Sequence, residues 1–129
     1  MASPHHVLLV DDEPAVLIAL QLAFEDSPGF EVFTATSAEE ALAVARKERL
    51  DLVITDKNLA DASGIELARR LQESHPGLAV ILITGYANAP SREDGRALGL
   101  AAYVEKPFND IYDIPRLARD ILGREVAHA

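Results

Sequence analysis

Asp11, Asp12, Asp56, Thr84 and Lys106 are the residues of this chain whose types and positions could do chemistry. Each sits at the end of a short apolar run. Residues 7–10 lead into Asp11 and Asp12, residues 50–55 into Asp56, residues 78–83 into Thr84, and residues 101–105 into Lys106. Carboxylates brought onto one rim repel, since two unit charges about 4 Å apart interact by about 4 kcal/mol at an effective dielectric of 20. A cation must offset that. The donors are all oxygens, which suits Mg²⁺ (or Mn²⁺), held by one or two carboxylates with a phosphate completing its shell. A hard divalent ion, a lysine and a hydroxyl around one protruding carboxylate point to phosphoryl transfer. The metal and Lys106 would neutralise the phosphoryl oxygens, the Thr84 hydroxyl would bond one of them, and Asp56 would be the nucleophile. The product, an aspartyl phosphate, is a labile acyl phosphate and suits a signal better than a lasting modification.

For these side chains to meet, the runs that carry them must be parallel strands with their carboxyl ends together, where open α/β sheets bind ligands. Residues 7–10 show no polar alternation, as a strand covered on both faces requires. Residues 30–35 alternate and suit a position nearer an edge. Residues 50–55, 78–83 and 101–105 supply the other three strands. Between them lie helical patterns. Pro14 fits a first turn, and Val16, Leu17, Leu20, Ala23 and Phe24 keep helical spacing to a Ser27-Pro28-Gly29 stop. Ser37 to Glu40 is a capping-box pattern before the stripe Ala41, Leu42, Val44 and Ala45, with Arg46, Lys47 and Arg49 suiting the helix dipole at its end. Ser63 and Gly64 open a third helix, with Ile65, Leu67, Ala68 and Leu71 inward and His75-Pro76-Gly77 as its stop.

A weaker helix is expected around residues 91–98, where Gly95 costs about 1 kcal/mol relative to alanine. The last runs from about Ile114 to Leu122, with Asp113 as N-cap, Pro115 in the first turn and Gly123 as the stop. Five strands alternating with five helices across short connections predict an α/β fold. It would be a doubly wound (βα)5 three-layer sandwich around a five-stranded parallel sheet.

The 129 residues suit a single domain spanning 1–129 with a core of about 6–123, able to bury roughly two thirds of its unfolded surface. Hydrophobic residues at 49% and charged residues at 26% argue against disorder. A net charge of -9 repels a phosphate backbone, so direct nucleic-acid binding is not expected. The absence of cysteine excludes a disulfide framework, a thiolate metal site and a cysteine nucleophile, and is compatible with a cytoplasmic location. The longest apolar run, residues 78–83, is far short of the roughly 18 residues a membrane span needs, and no signal-peptide pattern opens the chain.

Val10-Asp11-Asp12-Glu13-Pro14, the Asp56 strand end, Thr84-Gly85 and Lys106-Pro107-Phe108 together resemble the receiver domain of two-component response regulators, in order and at matching spacing, over residues 7–122. The resemblance implies a flavodoxin-like fold with sheet order 2-1-3-4-5. It implies that Asp56 accepts a phosphoryl group from a sensor histidine kinase or a phosphotransfer protein. Asp11 and Asp12 match the acidic metal pair, the Asn58 main-chain carbonyl a further metal ligand, and Thr84 and Lys106 the phosphate-sensing pair. Tyr103 matches the switch aromatic, and the fourth helix, fifth strand and fifth helix the face that meets a downstream partner or a second copy. Two features depart from the family pattern. Ala60 stands where proline is common, which predicts a looser loop after Asp56, and residues 109–113 form a longer connection that predicts a late start for the last helix. The 21 residues after Phe108 leave room for one helix and a tail, so no DNA-binding output unit is expected.

Taken one at a time, the same residues have plainer readings. Asp11 and Asp12 would serve as a helix cap and first-turn charge, Asp56 as a turn residue, Thr84 as a β-branched strand end, and Lys106 as a solvated charge. Tyr103 would be core filler with its hydroxyl at the surface. His5, His6, His75 and His128 read as solvated, as do Arg69 and Arg70. Two rival functions follow. One is a degenerate receiver used as a phosphorylation-independent docking module. The other is an aspartyl-phosphate hydrolase, whose nucleophile is normally followed two residues later by an acid/base aspartate where this chain has Asn58.

Overall fold

The computed structural model describes residues 4–85, 101–106, 108 and 110–127, the last four as backbone alone. Its strands are β1 (His5–Val10), β2 (Phe30–Ala35), β3 (Leu52–Asp56), β4 (Ala79–Thr84) and β5 (Ala102–Glu105). They form one parallel sheet in the order β2-β1-β3-β4-β5. Helices α1 (Pro14–Glu25), α2 (Ala38–Lys47), α3 (Gly64–Ser74) and a C-terminal helix (Asp113–Ala127) connect and cover it. The expected helix over residues 91–98, with Gly95, lies outside the described residues, as do Pro107, Asn109 and His128. No helix among the described residues is long and apolar enough to cross a membrane.

The unalternating runs are buried on both sides, as a parallel sheet between two helical layers requires. Leu8 and Val10 of β1, Val53 of β3, and Val80 and Leu82 of β4 pack with α2 and α3 through Ala41, Leu67, Ala68 and Leu71. Val7, Leu9, Ile54, Ile81 and Ile83 face α1 and the C-terminal helix through Leu17, Leu20, Phe24, Ile114 and Ala118. β2 lies at an edge, in agreement with its alternation. Phe24 and Phe30 pin it to α1 edge to face at 5.0 Å, and the Arg119 guanidinium covers the Phe30 ring at 5.7 Å.

The structure alters several local expectations. Only half of the capping box forms: Ser37 Oγ accepts from the Glu40 N–H at 3.1 Å, while the Glu40 carboxylate turns to the Thr36 N–H and hydroxyl. Gly123 does not stop the last helix, which continues to Ala127. Gly123 lacks the positive φ of a terminating glycine and lies on an open side of the helix, so the chain passes through it. Asp113 is the first helical residue, preceded by a turn in which its N–H donates to the Asp110 carbonyl at 3.0 Å. His6 and His75 are not simply solvated. His6 Nδ1 lies 2.7 Å from the Arg49 carbonyl oxygen, and His75 Nε2 lies 3.1 Å from that of Glu48.

Candidate functional site

Parallel pairing brings the carboxyl ends of β1, β3, β4 and β5 to one rim, and the polar residues meet there. Asp11 follows β1 and is held by its Oδ1, which accepts from the Glu13 N–H at 2.9 Å. The chain then turns into α1, with Pro14 in its first turn and Glu13 at the N-cap position without a side-chain cap bond. Asp56 closes β3, opposite Ile83, and its Oδ1 accepts from the Asn58 N–H at 2.8 Å. Lys106 follows β5 and is anchored by its N–H donating to the Thr84 carbonyl at 2.8 Å.

The Lys106 ammonium is the centre of the group. It donates to Asp56 Oδ2 at 2.7 Å and Glu13 Oε1 at 3.0 Å, and lies 3.0 Å from Asp11 Oδ2. That last contact is an ion pair off the line of a hydrogen bond, so Asp11 Oδ2 is buried with no hydrogen-bond partner among the described residues. Thr84 Oγ1 is in the same condition. Burial pushes the Asp11 carboxyl above the usual carboxylate range, against the Glu13 N–H and Lys106, and the nearby Asp56 charge adds to the rise. Burial works to lower the Lys106 pKa but is outweighed by its contacts with Asp56, Asp11 and Glu13, which raise it above the ordinary lysine value.

Asp11, Asp12, Glu13 and Asp56 each place a carboxylate oxygen within 4.8 Å of the others. One ammonium does not balance four carboxylates. An all-oxygen set of this charge, with a buried oxygen lacking a hydrogen bond, fits a hard divalent cation. Glu13 is the member that sequence reasoning passed over, although it extends the same acidic run as Asp11 and Asp12. Asn58 stands beside Asp56 through its N–H.

The loop after Asp56 differs from the looser segment expected from Ala60. Lys57 N–H donates to the Ile83 carbonyl at 2.8 Å, Leu59 N–H to Ala62 at 3.0 Å, and Gly64 N–H to Lys57 at 2.7 Å. Asn58 also bridges Ser63, and Ser63 Oγ accepts from the Ile65 N–H at 3.1 Å to cap α3. Gly64 permits this closure: a Cβ there would overlap the Asp56 carbonyl oxygen. Tyr103 is not core filler, since it is 48% exposed on β5. It pairs in register with Leu82, two residues before Thr84 on β4.

The sequence and the fold both have known counterparts. The family model described as the response regulator receiver domain matches residues 7–115. The chain is 38% identical over 123 residues to the probable transcriptional regulatory protein TcrX of Mycobacterium tuberculosis, covering 94% of this chain and 51% of that one. It is 36% identical over 106 residues to the transcriptional regulatory protein GlrR of Escherichia coli, covering 82% of this chain but 24% of that protein. The chain thus spans from about a quarter to a half of these longer relatives. Among solved structures, a CheY-like response regulator receiver domain protein from Methanospirillum hungatei superposes with a TM-score of 0.88 at 30% identity, over 98% of this chain and 100% of that one. The chain belongs to the response regulator receiver domain family of two-component signalling.

Proposed function

We propose that this receiver domain takes a phosphoryl group onto Asp56 from a histidine kinase or phosphotransfer protein and relays the signal by changing shape and partner. The observation that carries the reading is the Lys106 ammonium, 2.7 Å from Asp56 Oδ2 and shared with Asp11 and Glu13. An Asp56 oxygen attacks phosphorus, the bond from phosphorus to the donor breaks, and the donor leaves with the electron pair. Lys106 moves from pairing carboxylates to pairing a phosphoryl oxygen. Thr84, with a buried hydroxyl lacking a partner among the described residues, donates to another. Asp11, Asp12, Asp56 and the Asn58 carbonyl would hold Mg²⁺ or Mn²⁺, with Glu13 as a further oxygen at hand. The ion, when bound, supplies positive charge against the phosphoryl oxygens.

Thr84 and Tyr103 form the proposed switch. The Tyr103 ring, exposed at the surface, would turn inward when the threonine hydroxyl is drawn to the phosphoryl group. Ile18 and Leu22, exposed on one side of α1 below the rim, offer apolar purchase to the phosphodonor protein. The downstream partner, or a second copy, would meet the face containing β5 and the C-terminal helix.

Intact mass after incubation with Mg²⁺ and acetyl phosphate tests the reading. The wild type should gain one phosphoryl group, and neither Asp56→Asn nor metal-free protein should do so. A wild type without adduct from acetyl phosphate and from a cognate kinase would make the chain a docking module. Sustained turnover of a phosphoester would make it a hydrolase.

A further inference from the structure

Asp61 lies at the tip of the loop between β3 and α3, yet its carboxylate is spent on another helix. Asp61 Oδ1 accepts from the Ala38 N–H at 3.0 Å and Oδ2 from the Glu39 N–H at 3.1 Å, 23 and 22 residues away. These are the first two donors of α2. The third, the Glu40 N–H, goes to Ser37 Oγ, and the Ala41 N–H begins the helical ladder on the Ser37 carbonyl at 3.0 Å. The start of α2 is therefore capped twice, once by its own Ser37 and once from a distant loop. The two bonds from α2 hold the Asp61 carboxyl below its ordinary range. α2 already has a local cap at Ser37, so the distinctive consequence of the Asp61 contact falls on the loop.

That loop is a small two-sided turn. Its root is Asn58, bonded to Asp56 and bridged to Ser63, and the Leu59 N–H closes it onto the Ala62 carbonyl at 3.0 Å. Leu59 and Ala62 rest on the core beneath it, and its tip is tied to α2 by the Asp61 carboxylate. We propose that Asp61 is a positioning residue, which fixes the 58–63 turn against α2 so that the Asn58 main chain stays in place beside Asp56, and thereby sets the affinity of the acidic site for a divalent cation. The inference rests on the metal-assisted phosphoacceptor reading above.

Two variants separate positioning from simple capping. Asp61→Ala and Ser37→Ala each remove one cap of α2, but only the first cuts the polar tie between the loop and α2. Titrating Mg²⁺ alone into each protein by calorimetry should give Asp61→Ala a Kd roughly tenfold higher than the wild type, the scale on which lost outer-shell partners weaken metal sites. Ser37→Ala should leave Kd unchanged. Asp61→Asn, whose side chain keeps one oxygen acceptor, should fall between. In metal-free Asp61→Ala, the Ala38 and Glu39 amides should exchange with solvent faster than in the wild type. At saturating Mg²⁺ its phosphorylation by acetyl phosphate should return to the wild-type rate, because affinity and not chemistry is altered. An unchanged Kd in Asp61→Ala, or an equal rise in Ser37→Ala, overturns the inference. A wild type that itself binds no Mg²⁺ overturns the underlying reading too, and the wild-type titration alone shows which has failed.

Discussion

At the amino ends of the strands, His6 sits between Arg49 and Glu31, with Nδ1 2.7 Å from the Arg49 carbonyl oxygen and Nε2 3.2 Å from a Glu31 carboxylate oxygen. Asp51 accepts from the His6 N–H at 2.8 Å and returns its own N–H to the His6 carbonyl at 2.9 Å. His75 reaches the Glu48 carbonyl beside them. At the carboxyl ends of the same strands, one ammonium serves three carboxylates, while Asp11 Oδ2 and Thr84 Oγ1 are buried without a hydrogen bond among the described residues. Leaving a buried polar atom unsatisfied costs about 1–3 kcal/mol. Among the described residues, one sheet thus closes its polar accounts at one end and leaves them open at the other. On the proposed function, the open end would be completed by a cation and a phosphoryl group, and a site pre-set for binding in this way is held at some cost in stability.

Removing Lys106 should break the contrast most severely. In Lys106→Met, the Asp11 and Asp56 carboxylates lose their shared cation, and uncovering a buried charge costs about 3 kcal/mol. Urea unfolding of metal-free protein at pH 7.5 should show a loss of that order, with most of it recovered when Mg²⁺ is added. A loss that Mg²⁺ does not reduce would mean that the carboxylates are not a cation site. The pH dependence has a definite sign. The folded-state pKa of Lys106 is raised above the ordinary 10.5, so its contribution is fully present below pH 10.5. It is lost only as pH rises through the higher folded value, and the gap between wild type and Lys106→Met should therefore persist into mildly alkaline solution.

Gly64→Ala should be the next largest. The added methyl meets the main chain of Asp56 and Lys57, neither of which can yield as a side-chain tip would. Overpacking of this kind costs about 1–3 kcal/mol. Because the collision falls on Asp56, the proposed phosphoacceptor, Gly64→Ala should also slow adduct formation with acetyl phosphate. Gly123→Ala is the matching control: nothing lies within 4 Å of a Cβ at that helical position. It should be neutral or slightly stabilising. Normal phosphorylation of Gly64→Ala would show that the Asp56 backbone has more freedom than its contacts suggest.

These two glycines also mark what could be read in advance and what could not. Strand ends carrying Asp11, Asp56, Thr84 and Lys106 are local patterns, and parallel pairing converts them directly into one rim, while the order β2-β1-β3-β4-β5 followed from the family resemblance. The contact of Glu13 with Lys106 is hidden, because it exists only once β5 is folded beside the start of α1. Gly64 reads as a helix start, since its closeness to Asp56 exists only once β3 and α3 are folded against each other. Asp61 carries no signal in the sequence for the same reason: its partners are 22 and 23 residues away. Gly123 reads as a stop because glycine commonly ends helices, and only its φ shows that this one does not.

The smallest effect expected is at the closed end, and it is the sharpest control on the whole comparison. His6→Ala removes the ring from the Arg49 carbonyl and from Glu31, and forfeits its packing at 5.6 Å from the Phe33 ring. A hydrogen bond of this kind contributes about 1 kcal/mol net, and the Arg49 carbonyl lies near enough to solvent to take water in its place. Urea unfolding should register a loss of about 1 kcal/mol, equal with and without Mg²⁺, because His6 lies at the far end of β1 from Asp11. Mg²⁺ affinity and the yield of phosphoryl adduct should match the wild type. If instead His6→Ala lowered both, the two ends would be coupled through β1, and the satisfied end could no longer be regarded as scaffold alone.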